Sequence, residues 1–269
     1  MTSGPAGGAG IDRKWWTLVI VCVAIFMLLL DITIVNVALP KIAHSLKASF
    51  AVIQWVVNAY ALTLAALLLS AGALADLLGR KLVFMTGLML FSATSLLCAL
   101  SPSALLLILA RGGQGIGGAI MFATSLALIA QEFHGRERAT ALSIYGATTG
   151  VAVAAGPLLG GILTEGIGWQ AIFLINVPIG IAAAALTLKR IRETRDPEVK
   201  GVDWIGTATF TAALFALVLA LIEGDSSGWG SAKIVGLLAA TVVLLGAFVA
   251  TRWSNGTRCS TCGCFASRR

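Results

Sequence analysis

Residues 110–120 read ARGGQGIGGAI, and the fold turns on how that stretch is taken. Gly113, Gly115 and Gly118 have the G-x-G-x-x-G spacing of a dinucleotide-binding turn, with a strand-like run at 104–110 before it and Glu132 beyond it. Such a phosphate cradle needs a strand, a tight turn and a helix N-terminus in that order. The flanks argue otherwise, because apolar residues continue from 104 to 130 with no polar stop on either side. In lipid, a strand followed by a turn would leave backbone groups unsatisfied, whereas one helix satisfies them all. The stretch therefore reads as the middle of a membrane-spanning helix. Gly113 and Gly117, four residues apart, then let a neighbouring backbone come close one turn from Arg111.

Composition agrees with that reading. Hydrophobic residues make up 58% of the 269, charged residues 12%, and the mean hydropathy is +0.94, far outside the soluble range. A spanning helix needs about 20 mostly apolar residues. Such runs occur near 17–39, 52–75, 82–101, 104–130, 139–164, 171–188, 204–222 and 234–251, so the expected fold is an all-α membrane protein with eight spans. The polar, Gly-rich segment 1–14 precedes a run too long for a signal-peptide core, which is expected to remain as the first span. Orientation follows from the basic residues. With both termini inside, the inner segments hold Arg13, Lys14, Arg80, Lys81, Arg136, Arg138, the basic loop 189–203 and the basic C-terminal tail, against Lys41, Lys47 and Lys233 outside. The positive-inside rule thus places the chain in the cytoplasmic membrane with cytoplasmic termini, and the net charge of +7 reflects topology without calling for nucleic acid.

Ionisable residues inside spans are costly and mark ion or proton paths. Asp31 is the carboxylate deep in a span and Arg111 the deep cation. The first span runs outward and the fourth inward, which puts both about 10–14 Å below the outer surface at the helical rise per residue. They are within reach of each other. A carboxylate paired with arginine is held ionised, and one left alone in a desolvated site takes up a proton. The alternative is a static ion pair that joins two helices.

Two stripes accompany this pair. Gln54, Asn58, Ala61, Ala65 and Gly72 share one face of the second span, and with Asn36 of the first they are candidate cavity-lining positions. Close packing through small residues with amide hydrogen bonds is the competing explanation. Gly146, Gly150, Ala154, Pro157 and Gly161 form an apolar, small-residue stripe on the fifth span, read as a packing surface for another helix. There is also an internal repeat. Gly72-x-Leu74-x-Asp76-x-x-Gly79 at the inner end of span two matches Gly161-x-Leu163-x-Glu165-x-x-Gly168 at the outer end of span five. Inverted repeats of spans 1–3 and 4–6, a common secondary-transporter architecture, would produce that relation.

These residues resemble the major facilitator superfamily, and within it the fourteen-span drug:proton antiporters. LDITIVNVALPKI (30–42) is similar to the first-span signature and GALADLLGRK (72–81) to the loop motif between spans two and three. RGGQG (111–115) resembles the fourth-span motif, GVAVAAGPLLGG (150–161) the antiporter motif, and WQAIFLINVPIG (169–180) and VDWIG (202–206) also fit. The matches run in order from residue 15 to about residue 250.

The resemblance implies a proton-coupled antiporter that exports amphipathic, often cationic, small molecules by alternating access. Asp31 and Arg111 would serve proton coupling, and Gly72, Asp76, Gly79 and Arg80 would form a cytoplasmic gating latch. Gly150, Gly156, Pro157, Gly160 and Gly161 would be the antiporter motif, with Gly156 and Pro157 at a bend where two halves meet. Partners would be protons, a small-molecule substrate and the bilayer, with no cofactor or metal.

The family pattern calls for a six-span bundle, two extra spans and a second six-span bundle. The expected organisation here is a tail (1–14), a six-span bundle (15–188), a basic loop (189–203), two further helices (204–252) and an atypical tail (253–269), so the chain reads as truncated. Cys259, Cys262 and Cys264 in that tail look like an out-of-frame ending, since three cysteines without a fourth ligand make a poor metal site and a disulfide is not expected on the inner side. The alternatives are a non-transporting remnant, or a half-bundle subunit that associates with a partner or with itself. His44 and His134 lie at span ends, no Ser/His/Asp constellation is present, and the chain is read as not an enzyme.

Overall fold

A computed structural model describes the backbone of residues 12–193 and 204–256 and the side chains of the first segment and of 204–250. The expectations for 1–11, for most of the basic loop and for the tail cysteines lie outside the described residues. The helices are α1 (Arg13–Leu46), α2 (Phe50–Leu78), α3 (Arg80–Ala99), α4 (Ala104–Glu132), α5 (Gly135–Gly166), α6 (Ala171–Leu174), α7 (Asn176–Arg190), α8 (Trp204–Ser227) and α9 (Ala232–Gly256). Among the described residues, eight helical segments are long and apolar enough to cross a membrane, with α6 and α7 together making one of them.

Caps rather than hydropathy set the helix ends, so the helices overrun the apolar stretches. With 34 residues α1 is about 51 Å long, more than the roughly 30 Å hydrocarbon core. It ends at Lys47, whose φ of 49° is left-handed. Ser49 and Ser103 accept from the amides of Val52 and Leu106 and so start α2 and α4. The sixth span is broken at Ile175, which its continuous apolar run does not signal. Pro178 has no N–H to give the Leu174 carbonyl, and the Ser95 hydroxyl donates to the Phe173 carbonyl at 2.9 Å.

α4 runs unbroken through the glycines of 110–120. A Cβ on Gly117 would lie 2.7 Å from the Phe91 nitrogen and one on Gly113 would lie 2.9 Å from Thr94 Cγ2, so this face is the seam with α3. Gly115 faces α2 in the same way, with the Tyr60 carbonyl oxygen 2.5 Å from such a Cβ, and the Thr63 hydroxyl donates to the Gly112 carbonyl across that contact.

The main helix pairs are α2 with α4, α3 with α4 and α1 with α5, of which the first and last interchange when spans 1–3 are swapped for 4–6. Gly79 and Gly168, which end the two copies of the repeat, have φ of 116° and 133°, a region that L side chains rarely adopt. α3 packs on α4 and α7, while α8 pairs with α9 and meets the bundle along α2.

The interior is layered. One apolar cluster holds Leu18 to Leu28 of α1 with Phe84, Phe91, Met121 and Phe133; the other holds Leu30 to Ile42 of α1 with Ile53, Val56, Leu107 and Phe173. On α1, α3, α4 and the broken sixth span, the buried polar residues Asp31, Ser95, Arg111, Gln114 and Asn176 fall between the two clusters.

Candidate functional site

This polar layer is the candidate site. Arg111 and Asp31 have side chains 1% and 0% exposed, and Arg111 Nη1 lies 2.5 Å from Asp31 Oδ2. The other carboxylate oxygen, Oδ1, accepts from Gln114 Nε2 at 3.0 Å and from Asn176 Nδ2 at 3.2 Å. Asp31 thus faces three N–H donors from α4 and α7.

Arg111 is anchored independently of that acid. Its Nε donates to the Val56 carbonyl at 3.0 Å, its Nη1 also donates to Gln114 Oε1 at 2.8 Å, and its guanidinium lies 4.1 Å from the centre of the Tyr60 ring. The Phe173 ring centre is 5.8 Å away. Ser95 closes the layer by accepting from Gln114 Nε2 and Asn176 Nδ2 at 3.3 and 3.1 Å. The cation is held by α2 and α4, and the anion rides on α1. Every partner of Asp31 presents an N–H to it, so a hydrogen on the carboxyl would find an acceptor only if the Gln114 or Asn176 amide turned over.

Sequence reasoning singled out two members of this layer, Asp31 and Arg111. Gln114 was available as the residue one turn on from Arg111 on the same face, and Asn176 as the lone side-chain amide in the run 171–188. Ser95 had no signal, since a serine in a span ordinarily bonds its own helix.

The other sequence-predicted positions are spread out. Gln54 and Asn58 line a pocket of about 310 Å³ with Trp55 and with Glu223, Asp225 and Ser226 of α8, so the polar face of α2 meets a further helix. Glu223 pairs with Lys233 at the mouth of that helix pair. Asn36 is elsewhere, exposed, with its amide on the Ile32 carbonyl.

In the loop motif Arg80 and Asp76 form an i,i+4 pair at 2.9 Å, and Arg80 Nη1 reaches Gln131 of α4 at 3.5 Å. Glu193, absent from the sequence reading, accepts from the amides of Lys81 and Leu82 at 3.2 and 3.0 Å and covers Gly79, whose missing Cβ makes room for it. A carboxylate at the first turn of α3 suits the helix dipole. Gly72 has no atom within 4 Å of an added Cβ.

On α5 the stripe that packs inside the bundle is Ala152, Gly156, Gly160 and Thr164, against Thr33, Ile34 and Val37 of α1. An added Cβ at Gly146, Gly150 or Gly161 meets nothing within 4 Å, so that neighbouring stripe is unoccupied among the described residues, and Pro157 lies exposed beside it.

The family described as Major Facilitator Superfamily matches residues 21–259, nearly the whole span of this architecture. The chain belongs to the major facilitator superfamily. Among relatives of this major facilitator protein, the tetracenomycin C resistance and export protein of Streptomyces glaucescens is 38% identical over 91% of this chain and 45% of its own length. The multidrug resistance protein Stp of Mycobacterium tuberculosis is 39% identical over 87% and 44%, and the methylenomycin A resistance protein of Bacillus subtilis 41% identical over 84% and 48%. The chain therefore spans less than half the length of these curated relatives. A bacterial homologue of the human lysosomal transporter Spinster, solved inward-facing and occupied, superposes with a TM-score of 0.62 at 22% identity, over 92% of this chain and 62% of that one, and shares the fold.

Proposed function

We propose that this protein carries the proton-coupling bundle of an exporter that moves amphipathic small molecules across the cytoplasmic membrane in exchange for protons. The observation that carries the reading is the buried layer around Asp31. An ion pair in such a place often adds no stability over apolar residues of the same volume, so its presence calls for another role. Asp31, ionised, pairs with the anchored Arg111. Protonation from outside removes the charge, releases α1 from α4 and favours one facing of the bundle, and loss of the proton inward restores the pair.

Asn36, Gln54 and Asn58 line the substrate path in this reading. Gly72, Asp76, Gly79 and Arg80 latch the cytoplasmic end, and Gly150, Gly156, Pro157, Gly160 and Gly161 form the antiporter motif, with the bend at Gly156 and Pro157. The resistance and export roles in the relatives' names support the substrate class, and both termini are assigned to the cytoplasm.

In inverted vesicles containing the protein, supplied with a second bundle where transport requires one, a pH gradient is expected to drive uptake of a cationic dye, and Asp31→Asn to abolish the pH-driven component. Undiminished pH-driven uptake in Asp31→Asn overturns the reading. A second reading, a half-bundle that pairs with another copy of itself, is favoured by the unoccupied stripe Gly146, Gly150 and Gly161. Crosslinks between cysteines introduced along it distinguish the two, because an isolated bundle yields no specific dimer.

A further inference from the structure

A large groove lies apart from the polar layer, between α1, α5 and α7. It holds about 550 Å³ and is walled by Trp15, Leu18, Cys22, Phe26, Ile144 and Ile179. Val19 and Val23 along its floor are 45% and 37% exposed, and Thr148, a hydroxyl in its wall, is turned to the Ile144 carbonyl of its own helix. The interior of the groove is therefore apolar. From Trp15 to Phe26 it extends about 16 Å along α1, half of the roughly 30 Å hydrocarbon core. That is the depth of one leaflet.

Arg13 and Lys14 precede Trp15 at the start of α1. Arg13 donates through Nε to the Arg190 carbonyl at 2.8 Å, which draws the starts of α1 and the end of α7 together, and the Arg190 guanidinium lies 5.1 Å from the Trp16 ring centre. Lys14 is ion-paired with Glu137, and Asp12 stands at the head of α1. Among the described residues neither Arg13 nor Arg190 makes an ion pair; a carbonyl and an indole hold them. Both cations stand near the joined ends of α1 and α7, where an anion would balance their charge. A guanidinium stacked on an indole keeps its N–H edge available for a phosphate.

We propose that this groove binds an anionic phospholipid, with the phosphate at Arg13 and Arg190, the indoles of Trp15 and Trp16 at headgroup level, and one acyl chain lying along Cys22 to Phe26. Apolar length, aromatic collar and basic rim occur in the order in which a lipid presents chain, ester region and phosphate. The site is independent of the proton-coupling layer.

Bromine on an acyl chain quenches tryptophan on contact, so the test is quenching of Trp15 in phosphatidylcholine nanodiscs holding the full chain. Brominated phosphatidylglycerol is compared with brominated phosphatidylcholine, and the Trp15 component is taken as the difference between the protein and Trp15→Phe. The expected preference for phosphatidylglycerol is about thirtyfold, the size that two basic side chains confer near an anionic lipid. It should fall to unity in Arg13→Gln/Arg190→Gln and, without any substitution, at high salt. Cys22→Phe, which fills the groove and leaves the rim intact, should remove Trp15 quenching by both lipids. Equal quenching by the two lipids overturns the proposal, as does a preference that survives loss of both arginines. Absence of quenching in the unaltered protein, the result if a protein segment fills the groove, overturns it too.

Discussion

Among the described residues, two aspartate–arginine pairs of similar length stand in opposite settings. Asp31 and Arg111 come from different helices, are essentially inaccessible, and share Gln114, Asn176, Ser95 and the Val56 carbonyl. Asp76 and Arg80 lie one turn apart at the junction of α2 and α3, with 38% and 21% of their side chains exposed. The same two functional groups therefore do different things. Where water is excluded, each charge depends on the network around it, and losing one partner is costly. At the bundle's end, water and Gln131 stand in for a lost partner, so the pair can open and close at little cost.

Breaking one partner of the buried pair is expected to have the largest effect. Arg111→Leu leaves a buried carboxylate alone and should lower stability by about 3–5 kcal/mol, read as a loss of folded protein in a detergent unfolding series. Replacing both groups at once, as Asp31→Leu/Arg111→Met, should restore most of that stability without restoring pH-driven transport. A double variant no better folded than the single one would show that the layer is needed for packing rather than charge.

Next in size is Asn176→Leu, which removes the donor to Asp31 and Ser95 at similar volume and should cost about 1–3 kcal/mol. Gly117→Val should fall in a similar range, about 1–3 kcal/mol, because its side chain must enter the α3 backbone, whereas Gly146→Ala should stay within about 0.5 kcal/mol. The smallest effect is expected from Asp76→Asn, no more than about 1 kcal/mol in stability. It should show instead as an altered transport rate, and an unfolding shift as large as that of Arg111→Leu would erase the contrast between the two pairs.

Much of this fold was legible in the sequence because lipid permits so few backbone solutions. The run around 110–120 had to be helical once water was excluded, and the number of spans followed from apolar length. The inverted repeat was visible in two glycine-ended motifs, and the left-handed backbone of Gly79 and Gly168 gives its physical reason. The break at Ile175 escaped, because hydropathy does not register a missing N–H at Pro178.

The site was legible by cost and not by partnership. Charges in a span stand out singly, so Asp31 and Arg111 could be found, but Asn176 and Ser95 differ from ordinary span residues only in what they touch. Glu193 escaped for the same reason, as one carboxylate in a charged loop with no feature marking it as the cap of α3. On α5 the sequence offered two adjacent small stripes, and only the contacts with Thr33 and Ile34 tell which of them faces into the bundle.

The central claim is that Asp31 takes up and releases a proton. A hydrophobic carbodiimide reacts with a carboxyl only when it is protonated, so modification of Asp31 can be followed by peptide mass spectrometry as the pH is lowered. The account predicts that Asp31 becomes modified, that a cationic substrate protects it, and that Arg111→Gln accelerates the reaction at neutral pH. An Asp31 that stays unmodified at every pH at which the protein remains folded, in both the unaltered chain and Arg111→Gln, would mean that the pair is a static strut between α1 and α4.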